Sequence, residues 1–468
     1  MPSLLAALIL AAPTAVAAQA AAGLSVRTDA RVELLAIVFR LAGNPEYNMG
    51  RVPRYVRAID EHFAPYREHA AVQEAKRLRE QHGVSFDAVM SMAIHIDDAS
   101  SPRARRPFTG PDPSLERRWS AADADAFIEQ LAAFAHDARF AEFLAANQAV
   151  LDTARVRMER VVRTNLDIAA LTAFFGREPN GAFIMVPLVA NGAGNFGVRY
   201  LDGDREEVYA IIGTSADSTG LPAFDARFVP TMAHEFSHSF VNPAVERVQE
   251  QFRAAGEAIF PEVEQEMRSQ AYGNWLTMVN ESLVRVSVAR YLRAARGDSA
   301  ARREVAAQRA RGFLWTDELF ELFGEYEQDR ARYPTLDAFL PRVAEYFTAL
   351  VPRIGGIIEQ YDRARPKLAS AEPEDHAAGV DPALDRIVFR FDRPMGPGYN
   401  INLGDSGRDH FPEVTRVQWD DTGTTLTLSV KLKPDWSYEL VLGAGFTSRA
   451  DGAPLRATPV RFRTRALD

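Results

Sequence analysis

Residues 230–243 read Pro-Thr-Met-Ala-His-Glu-Phe-Ser-His-Ser-Phe-Val-Asn-Pro, PTMAHEFSHSFVNP, and the pattern inside them is His234-Glu235-x-x-His238. On an α-helix, positions four apart lie on one face about 6 Å apart along the axis, so both imidazoles can reach a single metal ion. Glu235 projects about 100° further round, near enough to hold a water beside the ion without ligating it. The flanks suit a helix: Pro230 fits a first turn, and Asn242-Pro243 reads as a stop signal. Met232, Ala233, Phe236 and Phe240 supply the apolar surface that buries it. The competing reading is coincidence, which a suitable third ligand argues against.

That ligand must come from elsewhere, because a catalytic zinc takes three protein ligands and keeps one position open. No histidine follows His238 until His376, which excludes a His-x-x-Gly-x-x-His continuation. The best-placed carboxylate is Glu281 in TMVNESLVRVSVARYL, a segment with helical apolar spacing at Trp275, Met278, Val279, Leu283, Val286 and Leu292. A Glu-Ser pair in such a stripe is costly unless the charge is paired or metal-bound. The alternative for Glu281 is a salt bridge to Arg285 one turn later. Glu246, Glu250, Glu257, Glu262, Glu264 and Glu266 sit in polar, Arg-containing stretches and are weaker candidates.

An HExxH helix followed by Asn-Glu on a second helix resembles the gluzincin clan of zinc metallopeptidases, the thermolysin-like set of two histidines and a glutamate. That resemblance implies one zinc per chain held by His234, His238 and Glu281, with Glu235 as general base. The chain departs from the pattern at Arg285, where thermolysin-like enzymes usually carry an Asp that orients a ligand histidine; the partner of His234 or His238 is thus unassigned. Over about residues 30 to 360 the chain is also similar to a secreted bacterial family known only as a domain of unknown function. NGAGNFG (Asn191 to Gly197), HEFSHSF and NESLVR carry that likeness, which implies a peptidase-like site and no particular substrate.

The NGAGNFG stretch follows an apolar run (Ala182 to Ala190) and precedes two β-like runs, GVRYLDG and EEVYAIIGT, which together make a small sheet before the metal helix. A sheet edge there can pair with an extended peptide. Gly192, Gly194 and Gly197 allow close backbone approach, and Asn195 with Gly194 are the candidate substrate contacts. The alternative is a glycine-rich hairpin connection with no ligand. A nucleotide loop is disfavoured, since the helix that a pyrophosphate needs does not follow. Oxyanion candidates are Tyr209, Tyr272, Tyr291 and Arg285. His69 and His95 read as structural or cleft-lining.

The 468 residues are ample for two domains, and the formal charge of −9 gives no indication of a nucleic-acid partner. The chain has no cysteine, which excludes disulfides, thiol catalysis and lipidation at an N-terminal Cys. Its opening, MPSLLAALILAAPTAVAAQAAAG, has an apolar core from Leu4 to Ala12 and then small residues, the pattern of a signal peptide (1–20) cleaved near Ala17 to Ala20. The stretch before that core lacks Lys and Arg, which is compatible with a start further upstream. The expected destination is the periplasm or beyond, with no membrane span in the mature chain.

The fold expectation is α+β. Residues 24–365 form a mostly helical metallopeptidase-like domain, with a helical part at 24–170 and a catalytic part at 171–365. In the first part, SFDAVMSMAIHIDD reads as a strand, SPRARRPFTGPDPS as a loop, and Ser120 as a helix N-cap. From about Pro366 short alternating segments take over, among them RIVFRFD, TTLTLSVKL, SYELVLGAG and PVRFRTR, with Asp-Gly turn signals between them. Residues 367–468 are similar to bacterial Ig-like modules, a β-sandwich with Trp436 and Tyr438 in its core, expected to act as a spacer or cell-envelope docking module. The functional expectation is a secreted zinc-dependent metallopeptidase acting on a peptide or protein. The alternatives are a non-enzymatic cell-envelope binding protein with a structural zinc, and an amidase or peptidase acting on peptidoglycan stem peptides.

Overall fold

A computed structural model describes residues 23–108, 115–177 and 180–466. The expected signal peptide at 1–20 lies outside the described residues, as do 109–114 of the Pro/Arg loop. The chain divides into two compact units. The first holds the residues up to Gln249, Leu283–Gly297 and Tyr326–Pro341; the second holds Glu250–Ser282, Asp298–Glu325 and the chain from Arg342 onward.

Among its described residues the first unit has strand β1 (Leu24–Val26) and then seven α-helices: α1 (Ala30–Leu41), α2 (Pro53–Phe63), α3 (Ala70–His82), α4 (Asp87–His95), α5 (Ala121–Asp137), α6 (Phe140–Asn165) and α7 (Ile168–Phe175). The Ser120 hydroxyl caps α5 by accepting the Asp123 N–H at 3.0 Å. Where a strand was expected, α4 is a helix. Its residues from Ala88 to His95 are all buried, so the stretch carries no polar face and neither period can be read from it.

Strands β2 (Gly181–Leu188), β3 (Asn195–Asp202) and β4 (Arg205–Gly213) complete a sheet ordered β1-β2-β4-β3. The expected sheet before the metal helix is there, with β1 added to it in parallel to β2. The NGAGNFG segment is not a hairpin turn, because β4 lies between β2 and β3. It crosses the end of β4 instead. A methyl on Gly213 would sit 2.8 Å from the Gly194 carbonyl and 3.0 Å from the Ala193 nitrogen, so bare backbone is needed at the crossing. The crossing is pinned by Asn191, fully buried, whose amide donates to the Glu46 carbonyl at 2.7 Å. Just before it, the carboxylate of Glu33 on α1 accepts the N–H groups of Val189 at 2.6 Å and Ala190 at 3.0 Å. Burial pushes the Glu33 carboxyl up to about 7.

Two short strands, β5 (Ser215–Ala216) and β6 (Pro222–Ala223), lead into helix α8 (Val229–Arg247), which carries the HExxH motif. The stop expected at Asn242-Pro243 is not one: α8 continues through Pro243. Pro243 gives up the N–H that would reach the Ser239 carbonyl. Burial of Phe240, Val241, Pro243, Ala244 and Val245 outweighs that loss.

Beyond α8 the chain is helical as expected: α9 (Gln249–Ile259), α10 (Glu264–Arg268), α11 (Trp275–Arg296), α12 (Asp298–Ala310), α13 (Thr316–Gln328), α14 (Leu336–Leu350) and α15 (Ile354–Ala364). The second unit ends in a β-sandwich of strands β7 (Leu368–Glu372), β8 (Ala377–Val380), β9 (Arg386–Phe391), β10 (Ile401–Leu403), β11 (Glu413–Trp419), β12 (Thr425–Lys431), β13 (Ser437–Leu442) and β14 (Thr458–Thr464). Its two sheets run β10-β13-β14-β8 and β11-β12-β9-β7. Their alternating inward residues, such as Ile387, Phe389, Leu426, Leu428, Leu440 and Phe462, form one core. Tyr438 is in that core. Trp436 is half-buried at its rim, stacked on His410 at 5.3 Å with the rings 14° apart.

Candidate metal centre

Helix α8 is seated by its aromatic residues. Phe236 meets Phe183 of β2 edge-on at 5.2 Å, and Phe240 stacks on Phe175 of α7 at 4.5 Å. It also rests directly on β3. A methyl on Gly197 would lie 2.1 Å from the carbonyl oxygen of Glu235. The close approach that Gly197 permits is therefore made by the HExxH helix itself.

This seating leaves His234 and His238 half-buried on one face and Glu235 buried, 7% exposed. The two imidazoles meet edge to face, with their Nε2 atoms 3.2 Å apart. Two nitrogens bound to one tetrahedral zinc at about 2.0–2.1 Å each would stand roughly 3.3 Å from one another. The observed spacing fits that ion.

The third member is Glu281 on α11. His234, His238 and Glu281 each offer one ligand atom, and these atoms lie within 4.8 Å of one another. They form the one such group among the described residues. The division between the compact units falls at Ser282/Leu283, inside the continuous helix α11 and just after Glu281. Glu281 is 6% exposed, and its neighbour Ser282 answers the polar-pair problem locally. The Ser282 hydroxyl donates to the Met278 carbonyl at 2.7 Å and accepts the Trp315 indole N–H at 3.0 Å.

The remaining sequence candidates have other partners. Asn195 accepts the Gly213 N–H at 3.0 Å through its side-chain oxygen, across the β3–β4 pair, and a methyl on Gly194 would meet the Asn191 amide at 2.7 Å. Tyr209 is buried; its hydroxyl donates to Glu207 at 2.7 Å and accepts from Arg27 at 2.9 Å and Arg31 at 3.3 Å. Hydrogen bonding to the Arg105 guanidinium holds Glu207 down to about 2 despite its partial burial, while burial pushes Tyr209 up. The Tyr291 hydroxyl accepts the Asp167 N–H at 2.8 Å. It lies about 15 Å along α11 from Glu281 at the helical rise. Tyr272 is half-buried against Phe313, ring centroids 6.3 Å apart, and Arg285 is 3% exposed one turn after Glu281. His95 donates from Nδ1 to the Ser91 carbonyl, 2.6 Å away, and His69 caps α3 by accepting the Ala71 N–H at 3.2 Å, both structural roles.

One residue beside the centre escaped the sequence reading. The Asn242 side-chain oxygen lies 3.2 Å from Nδ1 of His238. Its signal was the i, i+4 spacing from His238, hidden by treating Asn242-Pro243 as the helix end.

Residues 24–345 match the family model described as a domain of unknown function (DUF4932). The chain belongs to that family. Residues 362–464 of this DUF4932 chain match the model of a bacterial Ig-like domain, in agreement with the sandwich. No curated protein matches it. Among solved structures it is similar to CopC from Methylosinus trichosporium OB3b, at 19% identity over 22% of this chain and 96% of that one, with a TM-score of 0.18. It is also similar to domains 1–6 of the surface layer protein SbsC, at 15% identity over 50% of this chain and 33% of that one, with a TM-score of 0.17. Neither likeness is close enough to bear on the fold. No helix among the described residues is long and apolar enough to cross a membrane.

Proposed function

We propose that this DUF4932 chain is a secreted zinc-dependent metallopeptidase that hydrolyses peptide bonds. One observation carries the reading: two imidazole nitrogens at zinc spacing, 3.2 Å, with a carboxylate oxygen gathered beside them. The donor set is two imidazole nitrogens and one carboxylate, the complement of a catalytic zinc rather than of a structural site, which closes with four ligands. His234, His238 and Glu281 would hold the ion. When bound, zinc polarises the scissile carbonyl and acidifies water.

The chain's own residues do the rest. Glu235 adjoins a ligand but is not in the ligand group, the position a general base requires. Its carboxylate takes the proton of the attacking water and returns it to the leaving amine as the C–N bond breaks. Burial keeps bulk water from competing for it. Strand β3 is at the edge of its sheet, and an extended substrate would hydrogen-bond along that edge. The Ig-like module would serve as the spacer or envelope-docking part.

The test is zinc content of the purified protein beside Glu281→Gln and Glu235→Gln, with casein, mixed peptides and peptidoglycan stem peptides as substrates. One zinc per wild-type chain, weakened by the first change and retained without hydrolysis by the second, is the expected result. Zinc with no hydrolysis by wild type would favour the non-enzymatic alternative; hydrolysis of stem peptides alone would favour the envelope amidase.

A further inference from the structure

A metal-ligating histidine presents one ring nitrogen to the ion and donates the N–H of the other to an acceptor, which fixes both tautomer and ring orientation. At the position four residues after Glu281, the chain has Arg285, a donor that cannot serve as that acceptor. His238 finds one on its own helix. Its Nε2 faces Nε2 of His234 at 3.2 Å, and its Nδ1 faces the Asn242 side-chain oxygen at 3.2 Å. The two nitrogens would thereby be divided, one for the amide and one for an ion.

The contact depends on helical geometry beyond the point where the sequence signals an end. Residues four apart share a face only while the helix lasts, and a residue before proline is biased away from helical conformation. Because α8 runs on to Arg247, Asn242 stays one turn from His238 on the same face. The buried side chains of Val241, Pro243, Ala244 and Val245 hold that last turn in place. Asn242 itself is exposed, so packing does not explain its orientation; the imidazole is its polar partner.

We propose that Asn242 is the positioning residue of His238, accepting the Nδ1–H and holding the tautomer in which Nε2 is the metal donor. The role rests on the zinc reading above for its consequence, though not for its geometry. An amide in this place, unlike a carboxylate, orients the ring without adding negative charge to the centre. The ligand set would then contribute a single negative charge, from Glu281, and a bound ion would keep most of its Lewis acidity.

The experiment compares wild type, Asn242→Ala and Asn242→Asp by three readouts: zinc affinity against a chromophoric chelator, thermal unfolding of metal-free protein, and ¹⁵N-histidine spectra of metal-free protein. Asn242→Ala should weaken zinc 10–100-fold. Its metal-free unfolding should stay unchanged, since the helix propensity that alanine gains offsets the exposed hydrogen bond it loses. Asn242→Asp should restore the affinity, and the His238 Nδ1–H tautomer should be clear in wild type and lost in Asn242→Ala. Wild-type affinity and an unaltered His238 tautomer in Asn242→Ala would overturn the proposal, as would failure of Asn242→Asp to restore binding. If wild type takes up no zinc, the metallopeptidase reading falls, while the tautomer comparison still decides the role of Asn242.

Discussion

Replacing Gly197 by alanine places a methyl group where helix α8 rests on strand β3. The added carbon would lie 2.1 Å from the Glu235 carbonyl oxygen, 2.9 Å from its carbon and 3.2 Å from its Cα. Ordinary contact begins near 3.4 Å, so strand and helix must separate by about 1.3 Å. Both partners are backbone, and β3 is paired to β4 along its whole length, so neither can yield by a rotamer change. Overpacking of this kind costs about 1–3 kcal/mol. The backbone being displaced belongs to Glu235, between the two histidines. A shift of about 1 Å at a reacting group is worth roughly 100-fold in rate. Gly197→Ala should therefore lower the urea midpoint and reduce the proposed peptide hydrolysis far more than the stability loss alone would. Gly355→Ala, where an added methyl meets nothing within 4 Å, is the control. A Gly197→Ala protein with wild-type midpoint and turnover would refute the claim that Gly197 sets the height of the HExxH helix.

Two further outcomes follow from the buried polar groups. Glu33 is raised from 4.5 to about 7 in the folded protein, so folding takes up a proton between those values. Its contribution is full below about pH 4.5 and declines as pH rises to about 7, by roughly 3 kcal/mol over the interval. Urea midpoints of metal-free wild type and Glu33→Gln from pH 4.5 to 8 should show the wild type losing relative stability up to pH 7, with no further change above it; parallel curves would dismiss the assignment. Tyr291→Phe removes the acceptor of the Asp167 N–H and should cost about 1–3 kcal/mol while leaving the turnover number intact. A large fall in turnover with little change in stability would restore Tyr291 as an oxyanion donor.

Local pattern accounts for much of what was legible. The HExxH helix, the three strands before it and the change of texture at Pro366 each follow from periodicity or turn chemistry within a few residues. Glu281 was legible because a charge interrupts an apolar helical stripe. Where the signal was local but ambiguous, packing decided. The α4 segment lost its period by being buried on every side, and Pro243 was absorbed into α8 by the apolar residues around it.

That two histidines share one helix face with a carboxylate between them is readable in the chain, because helical spacing is a property of neighbouring residues. So is the all-β module that follows, because strand alternation is equally local. It took long-range packing to set Gly197 against the HExxH helix and to turn Asn195 toward Gly213. The same packing lets Asn242 reach His238 past a proline. Those outcomes depend on which strand lies beside which, and on whether burial outweighs a local signal, and both are set by contacts between residues distant in the chain.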